Sequence, residues 1–255
     1  MNPSLQHPRP ALRLTGAEPL RAIAEYASNL FTTHDDLPRG DGHTVVLFPG
    51  LASDAKAFGP LRRECQRLGY QTVDWGRGLN RGPVGDVQAW LDHLSADISA
   101  LIEQDAYARP ASLVGWSLGG IYAREVAKRL HSSVRQVITL GTPFNARTDH
   151  SRVGWLYELL SGQTTRMDDE LRARLARAPA QPTTSIYSRS DGVVAWQTCT
   201  HESSRADVDD IEVSGSHLGM GWNPAILRVV AQRLARPVAT VPSPRQPTTT
   251  ATSRM

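Results

Sequence analysis

Residues 111–130 read ASLVGWSLGGIYAREVAKRL, and this stretch decides the interpretation of the whole chain. Its first part is a short apolar run typical of a buried strand, and its second part carries apolar residues at helical spacing. Ser117 stands at the junction, with Gly115 and Gly119 two residues to either side. The stretch predicts a sharp strand-to-helix turn that holds a serine in a strained backbone conformation, with the glycines relieving the crowding.

Apolar runs alternate with helical patterns along most of the chain. The runs that predict strands are 44–50, 70–76, 111–117, 134–141, 183–190 and 208–215. The patterns that predict helices are 55–68, 85–104, 118–130 and 223–235. A further amphipathic helix carries Leu20, Ile23, Leu30 and Phe31 on one face, which we expect to lie against the core. Alternation of this kind predicts an α/β fold with a mostly parallel central sheet flanked by helices.

The chain divides into one domain with less regular ends. Residues 1–15 are predicted to be a flexible N-terminus, 16–236 the domain, and 237–255 a disordered tail rich in Pro, Thr and Ser. Residues 144–182 interrupt the alternation and contain no strand pattern. We interpret them as a short helical cap above the carboxyl edge of the sheet, where ligands bind in such folds. The alternative is that these helices simply cover a sheet face.

Composition excludes several classes of protein. The 255 residues are 40% hydrophobic with a net charge of +3, and the arginines are interleaved with acidic residues. No basic cluster indicates nucleic-acid binding, and no apolar run approaches the length of a membrane span. The absence of an apolar signal core predicts a cytoplasmic protein. No metal-binding motif is present, so we expect neither a metal nor a cofactor. The sequence carries no signal for oligomeric state.

A serine hydroxyl becomes a useful nucleophile only when a base accepts its proton. Asp191 follows the predicted strand 183–190, and His217 follows the predicted strand 208–215. Both are expected in loops at the same sheet edge as Ser117, where a histidine held by a carboxylate would serve as that base. The weaker alternatives are His150 and His201 for the base, and Asp168, Asp169, Asp207, Asp209 and Asp210 for the acid.

A nucleophile of this kind also needs hydrogen-bond donors for the oxyanion that forms on its substrate. The backbone N–H of Leu118, directly after the serine, is one candidate. The loop after the first strand, Phe48 to Ser53, supplies the other, with Leu51 N–H as the best candidate. A plain strand-ending turn at Pro49-Gly50 is the alternative.

These motifs resemble the α/β-hydrolase superfamily, and within it the small bacterial lipases and carboxylesterases. The resemblance covers roughly 43–236, and GWSLGG, SRSDGVV and GSHLGM fall in the order of the family. It implies that Ser117 is the nucleophile, His217 the general acid and base, and Asp191 the orienting carboxylate. Many members carry His-Gly where this chain has Pro49-Gly50, which weakens any transfer of substrate class from them.

The resemblance implies a serine hydrolase that cleaves carboxylic esters through an acyl-enzyme. An apolar run in the insertion indicates a small-molecule or lipid-like ester. The candidate substrate-binding residues are Asn80, Trp116, Trp155 and Leu156. A thioesterase or acyltransferase with the same three residues, and a ligand-binding module without turnover, are the alternatives.

Overall fold

The computed structural model describes residues 10–105, 107, 109–145, 169–202 and 205–237. Trp155, Leu156, the proposed tail from 238 onward and most of the proposed cap lie outside these residues. The described part forms one α/β layer structure with a sheet between two layers of helices, as the sequence predicts. No described helix has both the length and the apolar composition needed to cross a bilayer.

A parallel sheet forms the centre of the described residues. Its strands are β1 (Thr44–Phe48), β2 (Gln71–Asp74), β3 (Ala111–Trp116), β4 (Val134–Leu140), β5 (Thr183–Tyr187) and β6 (Val208–Glu212). They lie in the order β2-β1-β3-β4-β5-β6, and every neighbouring pair is parallel. All the strands therefore end at one edge, so the loops after β1, β3, β5 and β6 can converge there.

Helices cover both faces of the sheet. They are α1 (Leu12–Phe31), α2 (Gly59–Arg67), α3 (Val87–Ile102), α4 (Leu118–Leu130), α5 (Asp169–Ala176) and α6 (Pro224–Leu234). Val46 and Phe48 point into a core shared with α3 and α4, whereas Val45 and Leu47 point into a core shared with α2 and α6. Successive side chains of a strand face opposite sides, which explains why every residue of β1 is buried.

Two predicted elements differ in detail. The pattern at 55–68 is a short 3-10 turn, Ala55–Phe58, followed by α2, because Pro60 lacks an N–H and suits the first turn of a new helix. The strands predicted at 183–190 and 208–215 end at Tyr187 and Glu212. The remaining residues of both segments form the loops that lead to Asp191 and His217.

The packing expected for α1 is wrong. Leu20, Ile23 and Leu30 are 74%, 66% and 63% exposed, while Glu18 and Ala22 are the buried residues of the helix. The face that meets the domain carries Glu18 and Glu25, whose carboxylates accept hydrogen bonds from two loops. The helix also begins at Leu12, so the ordered domain starts earlier than residue 16.

The described part of the 144–182 insertion packs beside α4. Leu175 of α5 and Phe144 belong to the core shared with α3 and α4. Lys128 Nζ donates to the Arg174 carbonyl oxygen at 2.6 Å, which attaches α5 to the end of α4. For α5, this placement agrees with the alternative in which a helix covers a sheet face.

The start of α4 lies so close to the end of β1 that Gly119 has no room for a side chain. A Cβ there would overlap the carbonyl oxygens of Phe48 and Pro49. We expect Gly119→Ala to lower the free energy of unfolding by about 1–3 kcal/mol, because backbone atoms must shift. Urea denaturation followed by circular dichroism measures this.

The matched control is Gly16→Ala in α1, where an added Cβ meets no atom within 4 Å. This substitution should be neutral or stabilising by up to about 1 kcal/mol, since alanine favours a helix. Equal unfolding midpoints for the two variants would contradict the packing described for Gly119.

Candidate active site

Ser117 connects β3 to α4 in a backbone conformation that residues with a side chain rarely adopt. Its φ is 54° and its ψ is −123°. A Cβ at Gly115 would lie 2.5 Å from the Gly119 carbonyl oxygen, so glycine is required where the end of β3 packs against the start of α4. Ser117 N–H donates to the Leu140 carbonyl oxygen at 2.9 Å, which ties the turn to the end of β4. The serine is thus held in strain at the carboxyl edge of the sheet.

Asp191 and His217 form a buried pair at the same edge. His217 Nδ1 lies 2.7 Å from Asp191 Oδ2, and both side chains are almost fully buried. The other oxygen, Asp191 Oδ1, accepts hydrogen bonds from the N–H groups of Val193 and Val194 at 2.8 and 2.7 Å. The carboxylate is therefore fixed by its own loop and directs one oxygen at the imidazole.

The imidazole of His217 lies beside the serine turn. Its ring centroid is 5.8 Å from that of Trp116, the residue before Ser117. A Cβ at Gly141 would lie 3.1 Å from His217 Nδ1, and Gly141 follows Leu140, whose carbonyl accepts from Ser117. Because Nδ1 faces Asp191, Nε2 is the nitrogen left for a proton acceptor role. The structure thus places the Asp191–His217 pair beside the turn that carries Ser117.

Burial and nearby charge shift the pKa of His217 in opposite directions. Removal from water disfavours the imidazolium, whereas the charge of Asp191, its hydrogen bond and the charge of Glu18 favour it. The balance raises the pKa of His217 above its ordinary value.

Apart from Asp169, which begins α5, the alternative acids and bases are engaged elsewhere or lie outside the described residues. His201 Nδ1 lies 2.7 Å from Asp210 Oδ1, and its Nε2 lies 2.8 Å from Arg124 Nη1. Both ring nitrogens are therefore occupied. The other aspartates in ion pairs are Asp207, with Arg205, and Asp209, with Arg233 and Arg236. The alternatives outside the described residues are His150 and Asp168.

The loop after β1 runs alongside the serine. A Cβ at Gly50 would lie 3.4 Å from Ser117 Cβ, so glycine allows this close approach. Among the described residues, no acceptor is recorded for the N–H groups of Leu51 or Leu118. Leu118 N–H also opens α4, whose N-terminus favours negative charge. The role of both N–H groups as oxyanion donors stays a prediction.

Asn80 does not line a substrate pocket, so that expectation is corrected. Its side chain is fully buried. Its Nδ2 donates to the Pro49 carbonyl oxygen at 2.8 Å, and its Oδ1 accepts from Gly82 N–H at 3.0 Å. Its backbone N–H donates to the Ser53 carbonyl oxygen, and its carbonyl oxygen accepts from Ala52 N–H, each at 2.8 Å. Asn80 holds the loop that carries Leu51, because its Nδ2, its backbone N–H and its carbonyl oxygen all bond that loop.

The ring of Trp116 packs beside the imidazole of His217. Its ring packs edge-on against Phe58 with centroids 6.5 Å apart, and only 8% of the residue is exposed. A direct contact with substrate stays a prediction for this residue. Trp155 and Leu156, the other predicted substrate contacts, lie outside the described residues.

Two carboxylates beside the site, the buried Glu18 and the half-buried Glu25, were missed by sequence reasoning. Glu18 accepts hydrogen bonds from the N–H groups of Gly192 and Leu218, and Glu25 accepts two from Ser216. Both lie on the inner face of α1, seven residues apart. The available signal was their seven-residue spacing, which places the two glutamates on one face of the helix.

Strain at Ser117 predicts a measurable effect on stability. The free energy of unfolding of Ser117→Gly should exceed that of Ser117→Ala by about 1 kcal/mol or more. Only glycine adopts this backbone conformation without cost. Both variants lack the hydroxyl, so the comparison isolates the backbone. Chemical denaturation measures the difference, and an alanine variant as stable as the glycine variant would contradict the strained turn.

The chain is similar to curated esterases and serine hydrolases. Pimeloyl-[acyl-carrier protein] methyl ester esterase of Shewanella sp. (strain MR-7) is 32% identical over 128 residues, covering 48% of this chain and 44% of that protein. Serine hydrolase BPHL of Mus musculus is 27% identical over 119 residues, covering 45% and 41%. The chain spans about half the length of the curated relatives that it matches.

Solved structures share the fold at low identity. Aspergillus fumigatus lipase B superposes with a TM-score of 0.58 at 22% identity, covering 81% of this chain and 56% of that one. A thioesterase domain from the curacin biosynthetic pathway gives a TM-score of 0.51 at 14% identity, covering 78% and 92%. The family described as the alpha/beta hydrolase family matches residues 45–250. The strained serine turn, the parallel sheet and this match over most of the sequence show that the chain belongs to the alpha/beta hydrolase family.

Proposed function

We propose that the protein is a serine hydrolase that cleaves carboxylic esters, with Ser117, His217 and Asp191 as its catalytic residues. The observation that carries the proposal is the His217–Asp191 pair, 2.7 Å apart, beside a strained serine. The methyl ester esterase and serine hydrolase relatives support the reaction class.

The first half of the reaction forms an acyl-enzyme. His217 Nε2 accepts the proton of Ser117 as Oγ attacks the ester carbonyl carbon, and Asp191 stabilises the imidazolium that results. The N–H groups of Leu51 and Leu118 bind the oxyanion of the tetrahedral intermediate. When the intermediate collapses, His217 donates its proton to the leaving alcohol.

The second half releases the acid. His217 accepts a proton from water, and the resulting nucleophile attacks the acyl carbonyl. A second tetrahedral intermediate expels Ser117, which regains its proton from the imidazolium. The histidine thus acts as base and acid in turn, and the enzyme returns to its starting state.

The substrate preference that we propose is a lipid-like acyl group. It is supported by the apolar residues of the insertion, with Trp155 and Leu156 among them. Burial of an acyl chain contributes roughly 0.8 kcal/mol per methylene. We expect kcat/KM on p-nitrophenyl esters to rise from acetate to octanoate. A flat series would contradict the acyl pocket and leave ester hydrolysis itself intact.

Ser117→Ala should lower kcat on any active ester by about 10⁴-fold or more, because the nucleophile is lost. A fluorophosphonate probe should modify Ser117 in the wild type, with the site identified by peptide mass spectrometry. Products formed with added alcohols or with thioesters distinguish hydrolysis from acyl transfer and thioesterase activity. A folded wild type that is neither labelled nor active would favour the binding module instead.

Ser112 provides the matched control for labelling. Its Oγ lies 2.7 Å from His43 Nε2, and His43 Nδ1 contacts Asp41, so the same three residue types meet there. This cluster lies at the opposite edge of the sheet, and Ser112 is fully buried. Ser112→Ala should therefore leave probe labelling of the folded protein unchanged.

The raised pKa of His217 sets the pH dependence. The reaction needs the neutral imidazole, so kcat/KM should fall as the pH drops through a value above about 6.5, the ordinary pKa of histidine. Asp191→Asn removes the charge that favours the imidazolium, and its acidic limb should move to lower pH. The same variant should lose about 10⁴-fold in kcat. If the acidic limb of the pH profile stays in place in a folded Asp191→Asn enzyme, this would contradict the role assigned to Asp191.

A further inference from the structure

Glu18 is the residue of α1 that lies deepest in the protein. It is 2% exposed although it belongs to a surface helix whose apolar residues face outward. Its Oε1 accepts a hydrogen bond from Gly192 N–H at 2.7 Å, and its Oε2 accepts one from Leu218 N–H at 3.1 Å. Gly192 directly follows Asp191, and Leu218 directly follows His217. One carboxylate therefore joins the two loops that carry the acid and the base.

From this bridge we infer that Glu18 is a positioning residue, which sets the distance between Asp191 and His217 by tying their loops together. The inference rests on the proposed function. It extends the site to an element that precedes the sheet and that the sequence motifs do not include.

The acid loop has further attachments to α1. Thr15 Oγ1 donates to the Gly192 carbonyl oxygen at 2.6 Å, and Arg21 Nη2 donates to Ser190 Oγ at 2.8 Å. Arg21 Nη1 also donates to the Ser190 carbonyl oxygen. These bonds lie on either side of Asp191 in the sequence. The loop is therefore held against a rigid helix, which limits movement of the carboxylate.

The histidine loop is attached by a second carboxylate. Glu25 accepts hydrogen bonds from Ser216 N–H at 2.7 Å and from Ser216 Oγ at 2.8 Å, directly before His217. The indole N–H of Trp222 donates to the Ala22 carbonyl oxygen at 2.8 Å. Among the described residues, Glu25 bonds this loop and not the acid loop, whereas Glu18 bonds both.

Two glycines show how closely both loops approach α1. A Cβ at Gly192 would lie 2.5 Å from the backbone carbonyl carbon of Leu14. A Cβ at Gly219 would overlap Glu25 Oε2. Each loop thus has a glycine at its contact with α1. The absence of a side chain at both positions is independent evidence that both loops pack closely against the helix.

The two acceptors of Glu18 demand a carboxylate. Gln has one acceptor oxygen, so its amide nitrogen would face one of the two backbone N–H donors without a bond. Hydrogen bonds from N–H groups to an ionised acceptor are also stronger than neutral ones. Loss of one bond would release one loop from the other while α1 keeps its remaining attachments.

The charge of Glu18 also acts on the imidazole. The charged groups near His217 are Asp191, in direct contact, Glu18 and Glu25 on α1, and Arg21, whose Nη1 lies 3.8 Å from Glu18 Oε1. Glu18 contributes to the raised pKa of His217. Removal of its charge should therefore lower that pKa, because one of the groups that favour the imidazolium is gone.

The experiment compares Glu18→Gln with the wild type on the best ester of the panel. We expect kcat to fall by about 10- to 100-fold with KM nearly unchanged, since misplacement of the base affects the transition state. The acidic limb of kcat/KM should move to lower pH. Glu25→Gln is the matched control, and its kcat should fall less because Glu25 supports one loop only. A folded Glu18→Gln enzyme with wild-type kcat and pH profile would overturn the inference.

Glu18→Asp separates geometry from charge and provides a second variant if Glu18→Gln does not fold. Its shorter side chain keeps the charge but cannot span both N–H groups. We expect a lower kcat with an acidic limb close to that of the wild type. Equal kcat for Glu18→Asp and wild type would overturn the bridging role.

A spectroscopic measurement keeps this test separate from the proposed function. NMR titration of the His217 imidazole, in a Ser117→Ala background, needs no activity. Its pKa should be lower with Glu18→Gln than without it, and an unchanged value would contradict the electrostatic role of Glu18. If the wild type shows no Ser117-dependent activity, the proposed function fails. If it is active and the Glu18 variants behave as wild type, only this inference fails.

Discussion

The strained backbone at Ser117 is the constraint on which the rest of the site depends. A residue with φ near 54° persists only when its surroundings leave no relaxed alternative. Here the restraint comes from close packing of backbone on backbone. Gly115 and Gly119 let the start of α4 touch the ends of β1 and β3, with no side chain between them. The turn presents the hydroxyl at the sheet edge and leaves Leu118 N–H at the start of a helix.

Parallel strand order then determines which loops can reach that hydroxyl. The loop after β1 brings Gly50 beside Ser117. The loops after β5 and β6 bring the Asp191–His217 pair to the same edge of the sheet. The three loops are fixed by two different parts of the fold. Asn80 holds the first by bonding Pro49, whereas α1 holds the other two through Glu18 and Glu25. The polar inner face of α1 has a physical reason, since it meets backbone N–H groups that need acceptors.

The outcomes for Asn80 and α1 show where sequence reasoning stops. Asn80 follows a strand in a glycine-rich loop, where an amide is equally compatible with substrate binding and with loop support. Only its burial and its bonds to Pro49 and Gly82 distinguish the two. The helical period of α1 was predicted correctly, but the face that it turns toward the domain was predicted wrongly. Apolar periodicity indicates which residues share a face and assumes that this face is buried.

The sequence by itself determined the α/β class, the strand order along the chain, the serine turn and the identities of the acid and base candidates. These follow from local patterns: apolar periodicity, glycine spacing and the position of polar residues after strands. The tertiary structure decided which polar groups meet. The Asp191–His217 pair and the Glu18 bridge join residues 26 and up to 200 positions apart in sequence. No local pattern encodes such distances, because a hydrogen bond across the fold depends on how whole elements pack.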